Sequence, residues 1–138
     1  MAVHQIALGA DVAEIPRLIA WVEQVMAAAG VGESPIFKIT LALEEAVMNV
    51  INHAFDDVAG PHRIALSLSV AAGRVIAELT DNGRAFDPAS MPEPDIAAPL
   101  AERAVGGMGL HLIRTMLDRV EYRREDGQNR LVMEKELA

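Results

Sequence analysis

A chain of 138 residues, 51% hydrophobic and only 4% aromatic, is long enough for one domain, residues 1–138, built on an aliphatic core. The absence of cysteine excludes disulfide frameworks, thiolate metal sites and cysteine nucleophiles. The formal net charge of -8 argues against direct binding to nucleic acid, which rests on Lys and Arg neutralising phosphates, and favours a soluble protein with a basic protein partner.

The first residues, MAVHQIALGADVAE, lack the basic start and long apolar run of a secretory signal. His4 to Leu8 reads as a strand. Asp11 can cap a helix running to about Ala29, with Leu18, Ile19, Val22, Val25 and Met26 inward. Its apolar tract, Leu18 to Val31, is interrupted by Glu23 and Gln24 and is shorter than the ~20 residues of a membrane span, so a cytoplasmic domain without a membrane segment is expected. Ser34 then opens a second helix, Pro35 in its first turn, that reaches roughly Phe55.

On a wheel of ~100° per residue, Glu45, Asn49 and Asn52 of that helix lie within roughly 60° of one another. They stand opposite a core face of Ile39, Leu43, Val47, Val50 and Ala54, with Leu41, Met48 and Phe55 beside the stripe. A solvated helix face usually draws on Lys, Arg and Glu, whereas asparagine is a poor helix former with specific hydrogen-bonding uses. An Asn oxygen suits a hard cation such as Mg²⁺, and a Glu one turn away can orient or deprotonate a nucleophile.

Arg63 to Val70 alternates as RIALSLSV, and Ala72-Gly73 turns it into a partner strand, Arg74 to Thr80. That hairpin ends in Asp81-Asn82-Gly83-Arg84-Ala85-Phe86-Asp87-Pro88. Here an acid at a strand end can accept from an amino group while a glycine admits a flat ligand, although Asp-Asn-Gly is equally an ordinary turn. Phe86 suits a core plug and a pocket wall alike. From about residue 84 to 106 the chain is proline-rich and aperiodic, a loop of functional or disordered type. VGGMGL follows, with three glycines in four positions ahead of a third helix, Gly109 to Asp118. It fits neither the P-loop nor the GxGxxG fingerprint. Val120 to Arg124 and Arg130 to Glu136 close the chain as a hairpin around Asp126-Gly127. The order predicts an α+β fold, a two-layer sandwich with a mixed, mostly antiparallel sheet of about five strands covered on one face by three helices.

The stretches EAVMN with His53, DNGRAFDP and GGMGLHLIRTMLD, in this order, resemble the ATP-binding boxes of the GHKL superfamily, and within it the bacterial anti-sigma factor and switch-protein serine kinases. The resemblance runs from about Ile36 to Val120. It implies the Bergerat ATP-binding fold, with residues of about 84–106 as the lid. It implies ATP or ADP and Mg²⁺ as ligands, Asn49 holding the Mg²⁺ and Glu45 acting as general base or its positioning group. Asp81 would accept from the adenine amino group and Gly83 would give the ring room. Gly107, Met108, Gly109 and Leu110 would fold backbone over the phosphates at a helix start, where N–H groups and the dipole favour anions. Arg103 would contact phosphate from the lid, and Asn52, His53 and Phe86 would support these groups. Ala85 and Asn129 depart from the pattern, standing where many relatives have a second glycine and a threonine.

The function so implied is an anti-sigma regulatory factor that transfers the γ-phosphoryl group of ATP to a serine of a small antagonist protein in the bacterial cytoplasm. Its partners would be that antagonist and a sigma factor, with no direct nucleic acid and no membrane, and relatives of this kind are often homodimers. Two alternatives stand beside it: a non-catalytic module that sequesters a partner according to bound nucleotide, and an α+β domain that binds no nucleotide. His4, His53, His62 and His111 form no metal-ligand spacing, and Ser34, Ser67, Ser69 and Ser90 have no base at a motif distance. Trp21 on the first helix suits core or interface, and seven Met are ordinary filler.

Overall fold

A computed structural model describes residues 2–87 and 109–137, with the backbone alone at 109 and 110. The expected loop from Pro88 onward, with Arg103, Gly107 and Met108, lies outside the described residues.

Five strands form one sheet: β1 (Val3–Leu8), β2 (Ile64–Ala71), β3 (Arg74–Asp81), β4 (Arg119–Glu125) and β5 (Gln128–Glu136). Their spatial order is β1-β2-β3-β5-β4 and each pairing is antiparallel, a narrower outcome than the mixed sheet that the sequence allowed. Three helices, α1 (Ile15–Ala28), α2 (Glu33–Asn49) and α3 (Gly109–Met116), supply the second layer. The core lies between, where Leu18, Val22 and Met26 of α1, Leu43 and Val47 of α2 and Ile113 of α3 meet Leu66, Leu68, Leu79 and Met133 of the sheet.

Both hairpins turn where expected, for a backbone reason. Ala72 and Gly73 have φ of 52° and 75°, and Asp126 and Gly127 have 51° and 74°. Two successive left-handed residues make the type I′ turn whose twist matches that of paired strands. Their lengths fix the register, pairing Ala71 with Arg74 and Glu125 with Gln128.

The helix starts differ from the sequence reading. Asp11 does cap, accepting from the Ala13 N–H at 2.9 Å, but the turn it caps is a 3₁₀ turn, Val12–Glu14, and α1 begins at Ile15. Ser34 lies inside α2, whose N-cap is Gly32 and has no side-chain cap. Beyond Asn49 the second helix widens into one π-type turn, Val50–Ala54, before Phe55. The expected inner face of Ile39, Leu43, Val47, Val50 and Ala54 is buried throughout.

Candidate functional site

Strand alternation builds the site's first half. In β3 the inward residues are Val75, Ala77 and Leu79, and the next inward position is Asp81, 4% exposed. In β5 the inward row of Met133 and Leu131 likewise ends in Asn129, 5% exposed. The β3–β5 register places Asp81 opposite Asn129, so two apolar rows end in a facing polar pair. Tyr122 and Arg124 of β4 continue these rows, opposite Leu131 and Asn129.

The pair is joined by a hydrogen bond and held by several others. Asn129 Nδ2 donates to Asp81 Oδ1 at 2.9 Å and to the Arg84 carbonyl at 2.7 Å. Its Oδ1 accepts from the Tyr122 hydroxyl at 2.6 Å, the Phe86 N–H at 3.1 Å and Arg124 Nη1 at 3.3 Å. The Gly83 N–H donates to the same Asp81 Oδ1 at 2.9 Å. Burial pushes the Asp81 carboxyl above the usual range, opposed by the Asn129 and Gly83 hydrogen bonds and by the charge of Arg124.

Asp81, Asn82 and Gly83 each do something different. Asp81 faces inward. Asn82 closes the mouth of β2, accepting from the Arg63 N–H at 2.6 Å and donating to the Pro61 carbonyl at 2.8 Å. Gly83 lies so close to the π turn that a Cβ there would be 2.3 Å from the Ala54 carbonyl oxygen. The need for glycine is met by helix packing, a constraint separate from the room for a ligand expected from sequence.

The π turn explains this approach. A wide turn leaves its last carbonyls without helical donors, and the 83–86 segment uses them. The Arg84 N–H donates to the Ala54 carbonyl at 2.8 Å and Arg84 Nε to the His53 carbonyl at 2.9 Å. Phe86 stacks on His53 with centroids 5.4 Å apart.

The second half comes from α2. Asn49, 2% exposed, shares an apolar cavity with Asp81, Asn129, Phe86, Tyr122 and Ile113, walled further by Ala46, Val50, Leu79 and Leu131. Among the described residues neither Oδ1 nor Nδ2 of Asn49 has a hydrogen-bond partner. Leaving such groups unpaired costs on the order of 1–3 kcal/mol each, so the amide needs a partner beyond the described residues. An amide oxygen is a hard donor, and Mg²⁺ usually takes only one or two protein ligands, the rest being waters and substrate phosphates. The residues present therefore fit that ion. Among the described residues no cluster of three His, Cys, Asp or Glu could hold a metal by itself.

Glu45 sits one turn before Asn49, half-buried and outside the cavity wall. Burial, and then the neighbouring Glu44 charge, hold its carboxyl above the ordinary range. Asn52 does not line the cavity either, because the expected stripe assumed α-helical spacing and the helix changes pitch at Val50. His53 keeps a buried Nε2 without a partner among the described residues. The backbone of Gly109 begins α3, and Arg103, Gly107 and Met108 lie outside the described residues.

The structure thus brings together Asn49, Asp81 and Phe86 of the residues expected from sequence, with Glu45 one turn away. It adds Asn129, Tyr122 and Arg124. The signal for Asn129 was present: the Asp126-Gly127 turn sets the hairpin register, and that register puts a polar residue in the inward row of β5.

Comparison with known proteins bears on the chain as a whole. Residues 8–135 match the family described as the histidine kinase-like ATPase domain. The chain is 36% identical over 97 residues to the serine/threonine-protein kinase BtrW of Bordetella bronchiseptica, covering 70% of this chain and 68% of that protein. It is 33% identical over 93 residues to the serine-protein kinase RsbW of Halalkalibacterium halodurans, covering 64% of this chain but only 56% of that one. In fold it resembles the RsbU and RsbW domains of Rv1364c from Mycobacterium tuberculosis, with a TM-score of 0.71, 19% identity, and coverage of 99% of this chain and 33% of that one.

Proposed function

The chain belongs to the histidine kinase-like ATPase domain family, and on that premise we propose that it is an ATP-dependent anti-sigma serine-protein kinase using the cavity between α2, α3 and the β3–β5 strand ends. The observation that carries this reading is the buried amide of Asn49, unpartnered among the described residues, in one cavity with the buried acid Asp81. A metal-bound phosphate chain and a base with an amino edge would answer the two at once.

In this reading Asp81 accepts from the adenine amino group, Phe86 walls the base, and the start of α3 at Gly109 receives phosphate. Asn49 holds Mg²⁺, whose chemistry is to neutralise charge on the transferring phosphoryl group. The serine oxygen of the acceptor protein forms a bond to the γ-phosphorus as the bond to the β–γ bridging oxygen breaks. The hydroxyl proton passes to the Glu45 carboxylate, and ADP departs. Little covalent work falls to the protein, so positioning and electrostatics supply most of the acceleration. A raised Glu45 carboxyl suits a base working near neutral pH.

The acceptor would be a small antagonist protein, with a sigma factor as the second partner and the bacterial cytoplasm as the place of action. Among the described residues no helix is long and apolar enough to cross a membrane. Assembly as a homodimer belongs to the same reading, and light scattering tests it.

The test is phosphotransfer. Purified protein, Mg-ATP and the antagonist encoded beside it are expected to yield phosphoserine, with Glu45→Gln slower by about 10²-fold or more. The wild-type rate should fall as pH drops through the raised Glu45 value, because the protonated carboxyl cannot accept a proton. Full transfer by Glu45→Gln removes the base assignment. Tight nucleotide binding with no transfer to any antagonist would instead favour a module that sequesters its partner without catalysis.

A further inference from the structure

Resting on the reading of this cavity as an adenine-nucleotide site, we propose that Asn129 is a positioning residue that makes Asp81 a one-directional acceptor and so sets the preference for an amino over a keto purine.

The neighbours of the Asn129 amide leave its orientation no freedom to reverse. On one side Asn129 meets the Arg84 carbonyl, which can only accept. On the other it meets the Phe86 N–H and the Arg124 guanidinium, which can only donate. Nδ2 therefore points to Asp81 and Oδ1 points away, where the Tyr122 hydroxyl completes its set.

The consequence falls on Asp81. Its Oδ1 receives both the Asn129 and the Gly83 donors, and neither bond uses Oδ2. Two donors on one oxygen hold the carboxylate plane and stabilise its ionised form in a buried place. The other oxygen is then the one open to a ligand, as an acceptor. A 6-amino purine can donate to it, and a 6-keto purine sets oxygen against oxygen.

The same amide ties the acid to the 84–86 backbone through the Arg84 carbonyl and the Phe86 N–H. A threonine hydroxyl has one proton to donate and could not serve both the acid and the Arg84 carbonyl.

Calorimetry with Mg-ATP and Mg-ITP on the whole chain tests this. Wild type is expected to prefer ATP by about tenfold or more, since a hydrogen bond to a charged acceptor is worth on the order of that factor or above. Asn129→Asp keeps the acceptor for Tyr122, Phe86 and Arg124, removes the donor to both Asp81 and the Arg84 carbonyl, and sets a second carboxylate beside the first. ATP affinity should fall about tenfold or more while ITP affinity changes by less than about threefold, so the preference collapses. Asn129→Leu removes the amide altogether and gives the same readout if the aspartate variant does not fold. A folded variant that keeps the wild-type preference, or that weakens both nucleotides in parallel, overturns the proposal while leaving the nucleotide site standing. Failure of wild type to bind either nucleotide overturns the site reading and this inference with it.

Discussion

Asp81 is a buried acid at the end of an apolar row, a placement that works against folding. Its folded-state pKa lies above the unfolded value, so the penalty is absent below the unfolded pKa and fully present once pH exceeds the folded one. Asp81→Asn keeps an acceptor for Gly83 and Asn129 without the charge. The expected outcome is a melting temperature at pH 7 no lower than wild type, a difference that shrinks as pH falls, and loss of the ATP-induced thermal shift. A variant that melts much earlier than wild type at pH 7 would show that the charge stabilises the fold. How far residues were legible follows from the same strand. Asp81 was readable because sequence alternation makes a polar inward residue conspicuous. Asn129 was assigned only a departure from pattern, since its partner lies 48 residues away and is reached through sheet register.

The hairpins were legible as elements because their chemistry is local, a left-handed pair of residues between two alternating runs. Ala72 supplies the left-handed φ of 52° at the first turn position, which an L-residue with a Cβ adopts at a penalty of ~1–2 kcal/mol. Ala72→Asn should raise stability by roughly 0.5–1 kcal/mol in urea denaturation, because asparagine tolerates that region. The π turn, by contrast, was invisible. No residue in VINHA announces a wider pitch, and it is the incoming 83–86 segment that takes its open carbonyls. Gly83→Ala would drive a Cβ into the Ala54 carbonyl oxygen. Overpacking of that kind costs about 1–3 kcal/mol, and because the obstacle is backbone the loss belongs at the upper end. Chemical denaturation of the variant measures it, and an unchanged midpoint would mean that segment and helix separate easily.

Across the molecule, α2 and the ends of β3 and β5 meet at the cavity, so a ligand touching Asn49 and Asp81 together would brace the two layers there. A nucleotide that binds only the folded state at 100 times its dissociation constant adds about 2.7 kcal/mol. Mg-ATP should therefore raise the melting temperature by several degrees, and Asn49→Ala should lower the Mg-dependent part of that shift most. A shift equal with and without Mg²⁺ would remove the metal from Asn49. The α+β class and sheet content were legible from periodicity over the whole chain; the order β1-β2-β3-β5-β4 was not, since it depends on which edge the last hairpin joins.

That order has a consequence during synthesis. β3 is flanked by β2, already made, and by β5, which follows an interval of 48 residues between Asp81 and Asn129. At about 5–20 residues per second the ribosome needs roughly 2–10 s to supply that partner. Throughout the wait a nascent chain carries RVIAELTD as an open strand edge, with Asp81 lacking the Asn129 donor. The candidate pocket is thus completed only once β5 has been made, and a chaperone that shields exposed strands would find this stretch a client for those seconds.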